Sequence, residues 1–221
     1  MILGFCYLPK KLESNPESLG EDAHFICQER QTFGVADGVG GWAMKGIDSG
    51  IFARELMSNY LTALRSLKLK RDVNLKKILL KVHYKTVALG SSTACVVTLK
   101  RDRLCYANVG DSGFMVFRGK RLVYRGILWL PGTDGLFDNL FGSEIEEILQ
   151  ETEGRSCLQD LAWTIATVAS MNSTSEDYDS PFAVAAESAG IEHIGGKVDD
   201  ITVIVAVIEL YHSPVALCYG Y

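Results

Sequence analysis

A chain of 221 residues with 48% hydrophobic and 22% charged residues is long enough for one domain with a real core, and too apolar for a disordered or fibrous protein. Its formal net charge of -5 offers no clustered basic surface of the kind nucleic acid requires, and the basic stretch at 68–71 reads as a solvated helix end. Six scattered cysteines without a C-x-x-C pair point to a reducing compartment, and the longest apolar run, 201–208, falls short of the ~20 residues a membrane-spanning helix needs.

The elements follow in chain order. Residues 1–20 read as an edge strand and then a loop containing Pro9, Pro16 and Gly20. Two short β-prone runs, 23–27 and 32–36, flank a polar turn and predict a hairpin that delivers Asp37 at its end. Ile51, Phe52, Leu56, Tyr60, Leu61, Leu64 and Leu67 recur at helical spacing, which predicts a helix over 47–68, with a second over 75–88. Strand-like runs at 93–99, 104–109 and 114–117, separated by polar and glycine turns, predict an antiparallel meander. Further strands are expected at 122–124 and 127–130, and helices at 143–150, 156–171 with Ser156 as N-cap, and 182–189. The run 201–208, between Asp199-Asp200 and Glu209, reads as a final buried strand. Blocks of strands interspersed with helix pairs argue for an α+β layered fold with antiparallel sheets, and the whole chain is read as a single domain.

The acidic motifs carry the chemistry. They are Glu21-Asp22, Asp37-Gly38, Asp111 between Gly110 and Ser112, Asp134-Gly135, and Asp199-Asp200. Any one of them is an ordinary turn signal, since Asp-Gly is a favoured hairpin turn. Together they differ, because each borders an apolar run and so sits where strand ends of a layered sheet converge. Converging carboxylates repel unless cations intervene, and hard oxygen donors without His or Cys select Mg²⁺, Mn²⁺ or Ca²⁺ over zinc, with Mg²⁺ or Mn²⁺ the natural choice. Two such ions can activate a water and stabilise an in-line displacement at phosphorus, which makes phosphate-ester hydrolysis the expected reaction.

The ordered set Glu21-Asp22-Ala23-His24, Val35-Ala36-Asp37-Gly38-Val39-Gly40-Gly41-Trp42, Gly90-Ser91-Ser92-Thr93-Ala94, Ala107-Asn108-Val109-Gly110-Asp111-Ser112, Gly132-Thr133-Asp134-Gly135-Leu136-Phe137-Asp138 and Asp199-Asp200-Ile201-Thr202-Val203 resembles the protein phosphatase 2C family, the metal-dependent Ser/Thr phosphatases. Val39 and Trp42 resemble the branch of yeast mitochondrial and plant members. The resemblance implies a four-layer α-β-β-α sandwich, a central antiparallel β-sandwich flanked by helix pairs. It also implies hydrolysis of phosphoserine and phosphothreonine by a water bridging two Mg²⁺ or Mn²⁺ ions. Asp37 would bridge both ions and the Gly38 carbonyl would bind one. Asp134 and Asp199 would ligate the second ion, and Glu21 and Asp22 would hold coordinated waters. Asp111 resembles the residue that, with Asp134, holds a weaker third ion in some members. The implied catalytic set is Asp37, Asp134 and Asp199. The implied partner is a phosphoprotein, with no nucleic acid or membrane, and the chain is expected to be a monomer in the cytoplasm or in a mitochondrion or chloroplast.

Three departures qualify the resemblance. Val39 stands where the larger family branch has a His thought to protonate the leaving group, and Val cannot transfer a proton. No Arg precedes Glu21-Asp22 to grip phosphate; Lys10 and Lys11 are the nearer cations. The segment 118–133 is shorter than the family's. The alternatives are therefore a catalytically impaired phosphatase-like binding or regulatory module, and an unrelated α+β domain in which the Asp-Gly pairs are only turns.

Overall fold

The computed structural model describes residues 1–10, 18–68, 73–101, 103–118, 121–125, 130–152, 157–207 and 216–217. In chain order the strands are β1 (Ile2–Leu8), β2 (Asp22–Cys27), β3 (Thr32–Asp37), β4 (Ala94–Lys100), β5 (Arg103–Val109), β6 (Gly113–Arg118), β7 (Arg121–Arg125), β8 (Leu130–Gly132), β9 (Ile201–Val207) and β10 (Ala216–Leu217). The α-helices are α1 (Ser49–Ser66), α2 (Leu75–Lys85), α3 (Asp134–Phe137), α4 (Gly142–Glu151), α5 (Leu158–Ser173) and α6 (Pro181–Ser188). They fall into two compact units, one drawn mainly from residues 21–112 and the other from 2–20 and 113–207.

The first unit is a five-stranded sheet in the order β10-β5-β4-β3-β2, antiparallel except where β10 runs beside β5. Helix α1 starts at Asp48, whose carboxylate accepts from the Gly50 N–H at 2.8 Å and so satisfies a donor the helix itself cannot. Its Phe52, Leu56, Tyr60 and Leu64 repeat every four residues and are buried against β2 and β3. Burying one such side chain is worth about 1.5–3 kcal/mol. Tyr60 also stacks on Phe25 with centroids 5.1 Å apart and donates its phenol to the Leu75 carbonyl at 3.1 Å, which ties α1 to the start of α2.

The second unit is a five-stranded sheet in the order β1-β9-β8-β6-β7, antiparallel throughout. The apolar run of β9 is explained by its place: it lies between β1 and β8, and its residues from Ile201 to Ala206 are all buried. β1 is an edge strand, as the sequence implied, and the Gln159 side chain of α5 both donates to and accepts from the Phe5 backbone, at 2.6 and 3.3 Å. Gly4 makes that approach possible, because a Cβ there would lie 2.1 Å from the Leu158 carbonyl oxygen.

The α+β reading holds, and the hairpin, the helices α1, α2, α4, α5 and α6, and the strands β4, β5, β6 and β9 lie where periodicity put them. The meander does not extend to its third strand. β6 pairs with β8 and β7 in the second sheet, and its Met115 and Phe117 join the core of that unit. A glycine turn reverses the chain without choosing which sheet the next strand joins. Helix α5 is flanked by Cys157 as its N-cap; Ser156, the expected cap, lies outside the described residues, as do 127–129 of the expected strand. Helix α6 has the sequence-legible start Ser180-Pro181: the Ser180 hydroxyl accepts from Ala183 N–H at 3.0 Å and donates to the Gly195 carbonyl at 2.7 Å. Ser180→Ala is expected to cost about 1–2 kcal/mol, seen by calorimetry as a melting temperature lower by roughly 2–8 °C. An unchanged melting temperature would show the cap to be dispensable.

Candidate functional site

The candidate residues divide between the units, and each half is built by its own local logic. In the first unit β2 and β3 pair with Asp22 directly opposite Asp37, so both carboxylates leave the same face of the sheet at the strand ends. Asp22 is 2% exposed and Asp37 is half-buried. Two like charges opposite one another in a strand pair cost stability.

The backbone after Asp37 is pinned on both sides. Thr93 donates its N–H to the Asp37 carbonyl at 2.8 Å, and the Thr93 hydroxyl accepts from the Asp37 N–H at 3.0 Å. Gly38 donates to the Glu21 carbonyl at 3.0 Å and Val39 to the Ser91 carbonyl at 2.9 Å. Only glycine fits at position 38, because a Cβ would meet the Ser49 carbonyl at 2.7 Å and the Glu21 carbonyl at 2.9 Å. The Glu21 carboxylate accepts from the Ser49 hydroxyl at 3.1 Å, and Trp42 donates its indole N–H to Ser91 at 2.8 Å. The motif Gly90-Ser91-Ser92-Thr93 thus acts as a strap across the Asp37 turn, a role no single-residue signal suggested. The strap is itself held by a 2.5 Å contact between the hydroxyls of Thr93 and the buried Ser112.

Asp111 is exposed in the turn that follows β5, and Val39 is 45% exposed. On β2, burial pushes the His24 imidazole below its usual range.

The second unit brings Asp134 and Asp199 together. The turn at Thr133-Asp134-Gly135 is docked on the start of β9: the buried Thr133 hydroxyl donates to the Asp200 carbonyl at 3.3 Å and accepts from the Thr202 N–H at 3.2 Å. Asp138, one helical turn after Asp134, lies on the same face. All three carboxylates converge on the Lys197 ammonium, at 2.6 Å from Asp134, 2.6 Å from Asp138 and 3.5 Å from Asp199. The Lys197 backbone is clamped by the buried Asn139 side chain, which donates to its carbonyl at 2.8 Å and accepts from its N–H at 2.9 Å. On its other oxygen Asp199 accepts from the Lys10 ammonium at 3.0 Å, and Asp200 accepts from the Lys10 backbone N–H at 2.6 Å. A recess of about 380 Å³ opens beside this pair, bounded by Leu8, Lys10, Ser173, Val198 and Asp199.

The electrostatics follow from the count of charges. Burial raises the Asp138 carboxyl above the ordinary range; Lys197 opposes that rise, and Asp134 and Asp199 add to it. Burial lowers Lys197, but its hydrogen bonds and charge interactions with Asp134 and Asp138 outweigh it and hold the ammonium above the usual lysine range. The two directions agree, because one ammonium among three carboxylates leaves negative charge in excess.

The donor chemistry of both halves suits a hard divalent ion, since every candidate ligand is a carboxylate or carbonyl oxygen. No ready-made group of three or more His, Cys, Asp or Glu side chains is disposed to hold a metal among the described residues, and between the three converging carboxylates stands the Lys197 ammonium. Sequence reading missed Lys197 and Asn139 and left Asp138 without a role. For Asp138 the four-residue spacing from Asp134 on a helix was a usable signal.

No protein-family model matches the chain. Probable protein phosphatase 2C 55 of Arabidopsis thaliana is 38% identical over 94% of this chain, and the chain spans about half of that relative, 52% of its length. Probable protein phosphatase 2C 1 of Oryza sativa subsp. japonica is 30% identical over 93% of this chain and 74% of its own length. Among solved structures, the photosystem II phosphatase PBCP superposes with a TM-score of 0.82 at 29% identity, covering 94% of this chain and 98% of that one. The catalytic domain of the phosphatase PstP, solved with two manganese ions, shares the fold at a TM-score of 0.53 and 15% identity, over 92% of this chain and 97% of its own. These structures share with the chain a fold of two antiparallel-rich sheets. The chain belongs to the protein phosphatase 2C family.

Proposed function

We propose that this chain is a Ser/Thr phosphatase domain that hydrolyses phosphoserine and phosphothreonine in proteins with two Mg²⁺ or Mn²⁺ ions. In this reading Asp37 and the Gly38 carbonyl, together with Asp134 and Asp199, are the ligands, Glu21 and Asp22 orient coordinated waters, and Asp111 serves a weaker third ion. The ions, when bound, supply an activated water and neutralise charge developing on the phosphoryl oxygens. The chain's own residues do the rest. The Thr93 and Ser91 strap keeps the Asp37 carboxylate aimed by fixing its backbone, and the Ser49 hydroxyl orients Glu21. Lys10, already beside Asp199, stands where no arginine does to attract the substrate phosphate, and the adjoining recess with Leu8 and Val198 on its walls suits an apolar side chain flanking the phosphorylated residue. The observation that supports the reading most is the convergence of Asp134 and Asp199 on a single cation.

The same reading takes the whole chain as a single catalytic domain, monomeric, with no nucleic acid or membrane partner. No helix among the described residues is long and apolar enough to cross a membrane. Among the described residues Cys6, Cys27, Cys95, Cys105 and Cys157 form no disulfide, and the reading keeps the chain in a reducing compartment inside the cell; Cys218 lies outside the described residues.

The test is metal dependence. The purified chain assayed on a phosphothreonine peptide is expected to turn over with Mn²⁺ and to lose activity with EDTA, recovering when Mn²⁺ is returned in excess. Turnover that survives chelation would sink the two-ion reading. Tight Mn²⁺ binding without turnover would instead favour a phosphatase-like binding module, the reading that the short segment 118–133 motivates.

A further inference from the structure

We propose that Lys197 is a resident cation for the second half of the site: it keeps Asp134, Asp138 and Asp199 converged when no metal is bound and gives up those carboxylates when a metal ion arrives. The inference rests on the reading of Asp134 and Asp199 as metal ligands.

Three carboxylates within reach of one point do not stay there unaided, because each repels the others across a part-buried space that water screens poorly. Their side chains are 16%, 25% and 18% exposed for Asp134, Asp138 and Asp199. A cation must occupy the middle, and in this chain it is an ammonium held at 2.6, 2.6 and 3.5 Å. The placement is built into the fold. Asn139, with no exposed surface, grips both polar groups of the Lys197 backbone, and the Phe182 ring lies 5.2 Å from the ammonium, within cation–π range. Lysine suits the exchange: its charge rides on a flexible four-carbon stem and makes no bidentate fork, so it can swing aside without moving the backbone that Asn139 fixes. Lys10 holds the opposite oxygen of Asp199, so one ligand remains oriented while Lys197 moves. Lys197 is therefore a positioning residue. It preserves the convergence of the three carboxylates and competes with the ion for the same oxygens, which weakens metal affinity in return.

The experiment titrates the full chain with Mn²⁺ by calorimetry and measures melting temperature with and without saturating Mn²⁺. For Lys197→Met, Mn²⁺ is expected to bind about tenfold more tightly, because the ion no longer displaces an ammonium; the metal-free melting temperature falls while the Mn²⁺-saturated one stays near wild type. Mn²⁺ affinity that is unchanged or weaker, or a fall in stability equal in both states, overturns the proposal and makes Lys197 a fixed structural partner. Lys197→Arg keeps the charge and is expected to fold where Met does not. Its fork should hold two carboxylates at once and weaken Mn²⁺ binding, and wild-type affinity there also counts against the proposal. Asp134→Asn separates this from the underlying reading: if Mn²⁺ affinity ignores Asp134, the assignment of the ligand fails, whatever Lys197 does.

Discussion

Asp37→Ala is expected to lower turnover of a phosphothreonine peptide roughly 10³-fold at saturating Mn²⁺, the scale on which enzymes lose rate when a main stabiliser of transition-state charge is removed. The same change is expected to leave the metal-free melting temperature near wild type or slightly higher. Asp37 stands directly opposite Asp22 in the β2–β3 register, and removing one of two like charges across a strand pair relieves about 0.2–1 kcal/mol. The neighbouring backbone bonds from Thr93 and Gly38 do not involve the carboxylate and survive the substitution. A residue kept for folding gives the opposite signature, a fall in stability with activity per folded molecule retained. A large loss of turnover with no loss of stability assigns Asp37 to the chemistry. Activity within about threefold of wild type would remove Asp37 from the ligand set.

What could be read from the sequence was local. Apolar spacing located α1 because one face of Phe52, Leu56, Tyr60 and Leu64 packs on the sheet, and Asp-Gly located the turn after β3 because glycine alone fits at position 38. Asp134 and Asp199 could be paired only through a family resemblance, since 65 positions separate them and nothing in their own surroundings announces the contact. Lys197 was invisible for the same reason: its meaning comes from Asn139, 58 residues away, which fixes its backbone, and from two carboxylates more than 50 residues away. The assignment of β6 to the wrong neighbour has a related origin. Turn residues encode a reversal of the chain, whereas the choice of sheet is decided by where Met115 and Phe117 find a core.

Gly135→Ala is expected to be strongly destabilising. A Cβ at position 135 would lie 2.1 Å from the Asp200 carbonyl oxygen and 3.2 Å from the Asp199 Cβ, and the first contact is backbone that cannot rotate away. Either α3 or the start of β9 must therefore move. Movement breaks the Thr133 hydroxyl bonds to Asp200 and Thr202 and strains the Asn139 bond to the Gly135 carbonyl, at 2.9 Å in the native turn. The cost is about 3 kcal/mol, at the upper end for overpacking, which corresponds to a melting temperature lower by roughly 6–12 °C. Gly41→Ala is the matching control, because a Cβ there meets nothing within 4 Å and should change stability by less than about 0.5 kcal/mol. The docking of α3 on β9 also carries Asp134, so a displacement of about 1 Å is expected to reduce turnover of the folded fraction by about 10²-fold. The two readouts answer different questions. Wild-type stability would refute the steric argument, whereas reduced stability with full turnover per folded molecule would show that this turn supports the fold without aiming Asp134.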